Sequence, residues 1–357
     1  MKKKEANITN YKGNGKYAYS AQDGSFADLY ITVPLATYLV EKLPWGLPAN
    51  IITIISNSNV VLAFIIALTA RRVSWSIWIF IPILYFIYVV GDAIDGMQAR
   101  RTKTGSPLGE FTDHFLDTFT TGILGASAFY IYDITNIYFI GFVLAFQYFL
   151  QITAFWERYK IGHLSFGKIS STDAIILLSL VLAAGFIDPV HAFLTQPAAN
   201  FIPALAALNF SVLEAVTCIL AFGSIFVSGA TLARAKHVSW RFWLYIAESF
   251  VMSYAVTALA NGSTTFIIIT LMLFHINYSA ALLKAIVTNT KDPVPDFILP
   301  VAMIVTLLLN IHSPVLNIVF ESYLAISIVI RVFRFYKKNI NYWVWRNPKP
   351  AEENAVK

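Results

Sequence analysis

Residues 88–117 read YVVGDAIDGMQARRTKTGSPLGEFTDHFLD, and in them stand Asp92, Asp95, Asp113 and Asp117, with Gly96, Ala99, Arg100 and Gly109 between. Apolar sequence flanks the stretch on both sides. A charged side chain inside a bilayer costs a few kcal/mol or more, so acids placed there mark a function and need a partner. Asp92 and Asp95 are three apart and Asp113 and Asp117 four apart, so each pair shares one helical face. The intervening Arg101, Lys103, Gly105 and Pro107 mark a connection between two consecutive antiparallel helices, whose acids converge from facing walls. Hard oxygen ligands that hold a cation and leave room for phosphates suit Mg²⁺ or Mn²⁺. Gly96 and Gly109 admit close approach of a phosphate or a backbone. Arg100 stands where it can take a phosphate bidentately.

Outward from this stretch, the composition fixes the solvent. Apolar residues make up 57% of the 357, charged residues only 13%, and mean hydropathy is +0.63. Stretches near the length that crosses a bilayer recur at about 49–70, 73–94, 110–132, 136–156, 172–188, 213–233, 241–260, 264–284, 295–311 and 315–335. Nothing alternates like a barrel strand, and open strands leave backbone groups unsatisfied in hydrocarbon. The expected fold is therefore all-α, a polytopic membrane helix bundle of about ten transmembrane helices. Between residues 24 and 44, Phe26, Leu29, Ile31, Leu35, Leu39 and Leu43 mix with Asp28, Glu41 and Lys42, the pattern of an amphipathic interfacial helix. The expected organisation is an N-terminal segment over 1–44, one transmembrane domain over 45–345, and a polar, disordered tail over 346–357. The Pro-containing stretch 189–212 reads as a connection hugging the membrane.

With the N-terminus inside, all but Arg71 and Arg72 of the 26 basic residues fall on the cytoplasmic side, as the positive-inside rule requires. Topology and anionic lipid headgroups thus account for the formal charge of +6, and nucleic acid is excluded as a partner. The Met-Lys-Lys-Lys start leads into polar sequence and does not read as a secretory signal. The single Cys218 leaves no disulfide framework and no thiol metal site.

The spacing D-x-x-D-G-x-x-A-R-x8-G-x3-D-x3-D resembles the signature of the CDP-alcohol phosphatidyltransferase family, and every fixed position is matched. Tyr88, the run from Gly91 to Thr102, Ser106 to Glu110, and Asp113-His114 look like its choline and ethanolamine phosphotransferase branch. So do Tyr17, Tyr19, Asp23 and Ser25, and the later Trp156, Tyr159, Gly162, Leu164, Phe166 and Gly167. Three features depart from the branch: Pro48-Ala49-Asn50 stands where Ala-Pro-Asn is more usual, Met97 replaces a common Lys, and Phe115 and Leu116 fill positions usually small.

The resemblance implies transfer of phosphocholine or phosphoethanolamine from CDP-choline or CDP-ethanolamine to diacylglycerol, with release of CMP. It implies two Mg²⁺ (or Mn²⁺) ions on Asp92, Asp95, Asp113 and Asp117, and a nucleotide-binding set of Gly96, Ala99, Arg100, Lys103, Gly109 and Asn50. A homodimer is implied as well, in an endoplasmic reticulum, Golgi or bacterial inner membrane, with the site facing the cytoplasm.

A base is also needed for the lipid hydroxyl. His114 is the candidate, since an imidazole titrates near pH ~6.5 and no other His lies near the motif; Glu110, four residues earlier, is placed to orient it. A quaternary ammonium favours aromatic faces, which nominates Tyr88, Trp156 and Tyr159 for the headgroup, with Glu157 as counter-charge.

Two rivals are weighed against this reading. CDP-diacylglycerol-dependent relatives are shorter and lack a His after the third Asp. A transporter would show repeated halves and mid-membrane breaks, whereas these acids cluster in one quarter of the chain. His275, Asn277 and Lys284 are read as joining helices by hydrogen bonds, and Glu214, Glu248, Glu321 and His312 as structural or interfacial.

Overall fold

The computed structural model describes residues 11–13, 17–19, 21–22, 25–73, 75–162, 164–165, 170–185 and 187–343. Asp23, Phe166, Gly167 and the tail 346–357 lie outside the described residues. Twelve α-helices are described: α1 (Val33–Lys42), α2 (Ala49–Val73), α3 (Phe80–Thr102), α4 (Pro107–Ile131), α5 (Ile137–Ile161), α6 (Ser171–Ala184), α7 (Asp188–Thr195), α8 (Val212–Ala235), α9 (Trp240–Leu259), α10 (Thr264–Thr288), α11 (Ile298–Leu308) and α12 (Pro314–Asn339).

Local chemistry sets the ends. Ser106, Asn136, Ser170, Ser211, Ser239 and Ser263 each accept a backbone N–H from the first turn of α4, α5, α6, α8, α9 and α10, satisfying donors that a helix start leaves without partners. At the starts of α6 and α8, Asp173 and Glu214 complete a capping box. Glu214 thus has the structural role expected of it. At the other ends, Lys103, Gly162 and Asn289 turn left-handed and stop α3, α5 and α10.

The protein is a multi-pass membrane protein. Among the described residues, seven helices (α2, α3, α5, α8, α9, α10 and α12) are long and apolar enough to cross a bilayer. The 25-residue α4 carries the acids of the site, α6 and α7 form a bent pair, and α11 is an apolar helix of 11 residues. Helix α10 is the axis of the bundle: 83% of its apolar window is buried, and it packs against α4, α5, α9 and α12. Helices α8 and α12 bury only 17% of their apolar windows each and leave the rest exposed on the outside of the bundle. Helices α2, α3 and α4 form a layer that carries the acids at one end, with α1 packed on α3.

The all-α expectation holds, with short pairings beside the bundle: Tyr11–Gly13 pairs antiparallel with Tyr17–Tyr19, and Ala21–Gln22 pairs parallel with Leu164–Ser165. The second pairing joins the two outlying stretches that resemble the phosphotransferase branch. Near the span expected over about 295–311, α11 starts at Ile298, where Pro293 and Pro295 precede it and Asp296 Oδ1 accepts the Ile298 N–H at 3.1 Å. The connection over 189–212 contains most of α7 and two 3₁₀ turns, Ala198–Asn200 and Pro203–Leu208.

Polar residues inside the bundle join helices. His275 Nδ1 lies 2.6 Å from the Tyr245 hydroxyl, and Arg331 donates to Asn277 Oδ1 at 3.3 Å, in line with the reading of His275 and Asn277.

Candidate active site

The site is built on the adjoining ends of α3 and α4. Asp92 and Asp95 sit three residues apart in the last turns of α3, and Asp113 and Asp117 four apart in the first turns of α4. The Lys103–Ser106 connection returns the chain, and the two pairs meet. Their ligand atoms form two clusters, Asp92–Asp95–Asp113 and Asp113–His114–Asp117, each with all atoms within 4.8 Å of one another. Asp113 belongs to both. Its Oδ1 is buried and has no hydrogen-bond partner among the described residues.

Like charges at such distances repel by several kcal/mol at the effective dielectric of a protein. A metal ion is a partner this donor set could hold, and Asp113, which belongs to both clusters and whose Oδ1 makes no hydrogen bond, stands between them.

The approach of the helices depends on Gly91. A Cβ there would fall inside the Ser56 hydroxyl of α2 and 2.9 Å from the Ser56 Cβ, so only glycine lets α2 lie this close to α3. That closeness lets α2 reach the acids: Thr53 Oγ1 donates to Asp95 Oδ2 at 2.5 Å. One turn further along α2, Asn57 Oδ1 accepts from Thr120 of α4 at 3.0 Å. From α3, the Tyr88 hydroxyl donates to Asp117 Oδ1 at 2.9 Å, and from α5, Gln151 Nε2 donates to the Asp117 carbonyl at 3.3 Å. Sequence reading missed Thr53, Asn57 and Gln151, which lie 42, 63 and 34 residues from their partners.

The expected nucleotide residues gather at the same end. Arg100 lies over Gly96, where a Cβ would come within 3.3 Å of its Nη1. Asn50, at the start of α2, stands over Gly109, where a Cβ would come within 3.1 Å of its Oδ1. Ala99 and Lys103 fall in and just past the last turn of α3, Lys103 exposed. The chain leading to Asn50 is clamped from α3: Gln98 donates to the Pro44 and Leu47 carbonyls, and Arg101 to those of Val40 and Leu43. His114 is buried, with Nδ1 3.6 Å from Asp117 Oδ2 and 3.8 Å from Asp113 Oδ2, and its ring faces Phe155.

Two of the expected site residues stand in ion pairs that sequence distance concealed. The Glu110 carboxylate is engaged by Arg158 of α5 at 3.0 Å, both groups buried, which joins α4 to α5. The residues expected to meet the headgroup also have partners within the chain. Glu157 is buried and paired with Arg234 of α8 at 2.5 Å. Trp156 is fully buried against Phe242, and the Lys160 ammonium already lies over the Trp156 and Tyr159 rings at 4.8 and 5.2 Å. Tyr159 donates to the Thr290 carbonyl, and Tyr88 to Asp117.

This geometry agrees with the comparison to known proteins. Residues 47–198 match the family model for CDP-alcohol phosphatidyltransferase. Ethanolaminephosphotransferase 1 of Homo sapiens is 31% identical over 174 residues, covering 42% of this chain and 42% of that protein. Cholinephosphotransferase 1 of Gallus gallus is 34% identical over 174 residues, covering 47% and 51%. Cholinephosphotransferase 1 of Homo sapiens is 32% identical over 155 residues, covering 41% and 37%. The chain thus spans about half or less of the length of the curated relatives it matches. The matched segment contains every carboxylate of the two clusters together with Thr53, Tyr88 and Arg158, so it is over residues 47–198, where the site lies, that the chain is similar to the CDP-alcohol phosphatidyltransferase family.

Proposed function

We propose that the protein is a CDP-alcohol phosphotransferase that moves phosphocholine or phosphoethanolamine from CDP-choline or CDP-ethanolamine to the free hydroxyl of diacylglycerol. The lipid oxygen bonds to the β-phosphorus, the bond from that phosphorus to CMP breaks, and the hydroxyl proton passes to a base. The observation that carries this reading is the convergence of four motif carboxylates into two clusters that share Asp113, beside Arg100 and Asn50. Asp92, Asp95, Asp113 and Asp117 would hold two Mg²⁺ or Mn²⁺ ions, which when bound supply charge stabilisation for the diphosphate and both reacting oxygens.

The chain's own groups do the rest. Arg100 binds the diphosphate, with Lys103 at the rim, and Gly96, Ala99 and Gly109 leave room for the nucleotide that Asn50 faces. Phosphoryl transfer is chiefly positioning and charge stabilisation, for which this inventory is suited. His114 takes the hydroxyl proton, its Nδ1 side held toward Asp113 and Asp117. The buried Glu110–Arg158 pair fixes the helix that carries His114.

The distribution of Lys and Arg supports a site that faces the cytoplasm, at an endoplasmic reticulum, Golgi or bacterial inner membrane. Resemblance to the family supports a homodimer. The test is CMP release by purified protein with diacylglycerol and Mg²⁺, comparing CDP-choline with CDP-ethanolamine. Release with either is expected. Release only with CDP-diacylglycerol and a polar alcohol would overturn the assignment in favour of the other arm of the family.

A further inference from the structure

A metal-binding carboxylate has two oxygens, and what occupies the second decides how the first can bind. Two of the four motif acids have one oxygen taken by a buried hydroxyl. Thr53 Oγ1, on a residue 4% exposed, has two acceptors in reach: Asp95 Oδ2 at 2.5 Å and the Ala49 carbonyl of its own helix at 3.2 Å. The single proton goes to the shorter of the two contacts, the one to the Asp95 carboxyl oxygen. The Tyr88 hydroxyl, on a residue also 4% exposed, donates to Asp117 Oδ1 at 2.9 Å. Asp117 Oδ2, the opposite oxygen, is the one facing His114 at 3.6 Å. The two donors come from different helices, α2 and α3, and Thr53 stands outside the signature altogether.

We propose that Thr53 and Tyr88 are specificity-determining residues that hold Asp95 and Asp117 to one coordinating oxygen each, and thereby favour Mg²⁺ or Mn²⁺ over Ca²⁺. Ca²⁺ gathers six to eight oxygens and accepts two from one carboxylate, whereas Mg²⁺ demands a near-octahedral set at about 2.0–2.1 Å. A hydroxyl held on the second oxygen opposes the bidentate mode and fixes the orientation that the octahedral mode needs. Partners of this outer kind commonly control metal affinity by about 10–100-fold. Both are positioning residues, acting through the carboxylates.

The inference rests on the metal site of the proposed function, and the test separates the two. Mn²⁺ is bound to the full chain in detergent and followed by its EPR signal, then displaced by Ca²⁺ or Mg²⁺. In Thr53→Val and in Tyr88→Phe, Ca²⁺ is expected to gain about 10-fold in displacing power relative to Mg²⁺, and Thr53→Ser to behave as wild type. A ratio unchanged within about twofold in both variants, with Mn²⁺ still bound, overturns the role of the hydroxyls. A wild-type chain that binds no Mn²⁺ overturns the metal site itself. A thermal scan in EDTA reports whether Thr53→Val folds; if it does not, Tyr88→Phe decides alone.

Discussion

Gly91→Ala probes the contact on which the site is built. The added Cβ would lie 2.9 Å from the Ser56 Cβ, against about 3.5–4.0 Å for an ordinary carbon contact, so α2 and α3 must part by about 0.6–1.1 Å. Overpacking of this kind costs about 1–3 kcal/mol, and the better helix propensity of Ala returns up to ~1 kcal/mol. A net loss of about 1–2 kcal/mol is expected, which for a chain of 357 residues is a fall in Tm of about 1–3 °C. The same parting takes the Thr53–Asp95 hydrogen bond from 2.5 Å to about 3.1–3.6 Å, beyond the range in which a hydroxyl bond is strong. Mn²⁺ affinity should therefore fall together with Tm, by about 10-fold. The assays are thermal unfolding in detergent, with EDTA and with Mn²⁺, for Gly91→Ala alone and with Ser56→Gly as the relieving second change. Wild-type Tm and Mn²⁺ affinity in Gly91→Ala, or no recovery with Ser56→Gly, would refute the argument.

Other outcomes follow from the same geometry. Arg158→Met leaves the Glu110 carboxylate buried without its ion partner and should destabilise the protein by about 3–5 kcal/mol, read by unfolding; loss below ~1 kcal/mol would show that the pair is not a lock. His114→Ala should lower turnover about 10²–10⁴-fold while nucleotide affinity holds, and unchanged turnover would remove it as base. Glu157→Gln should leave the preference between CDP-choline and CDP-ethanolamine unaltered, because the carboxylate is spent on Arg234; a switch in preference would return it to the headgroup. EDTA should abolish CMP release and Mg²⁺ restore it, and turnover that survives chelation would argue against the metal reading.

What was legible in the sequence was local. The pairs Asp92/Asp95 and Asp113/Asp117 are set by helical spacing, and the breaker-rich 101–107 stretch announces the reversal that brings them together. Hydropathy found the apolar helices for the same reason, since crossing a bilayer is a property of contiguous residues. It fixed the start of the helix near residue 295 only to within a few residues, because hydropathy averages over Pro293, Pro295 and Asp296, whose effect is on the backbone. Pairings across the bundle were not legible. Glu110 was read against a neighbour in sequence and Glu157 against a headgroup, while their partners Arg158 and Arg234 are 48 and 77 residues away. Thr53 carries no signal of its own, since a Thr in an apolar helix is ordinary until the helix that it faces is known.

The most direct measurement is the number of Mn²⁺ ions bound per chain, taken alongside CMP release on the same preparation, for wild type and Asp113→Asn. Two ions per wild-type chain, with both binding and release lost in Asp113→Asn, is the predicted result, because that carboxylate belongs to both clusters. Full binding and normal release in Asp113→Asn would contradict the account.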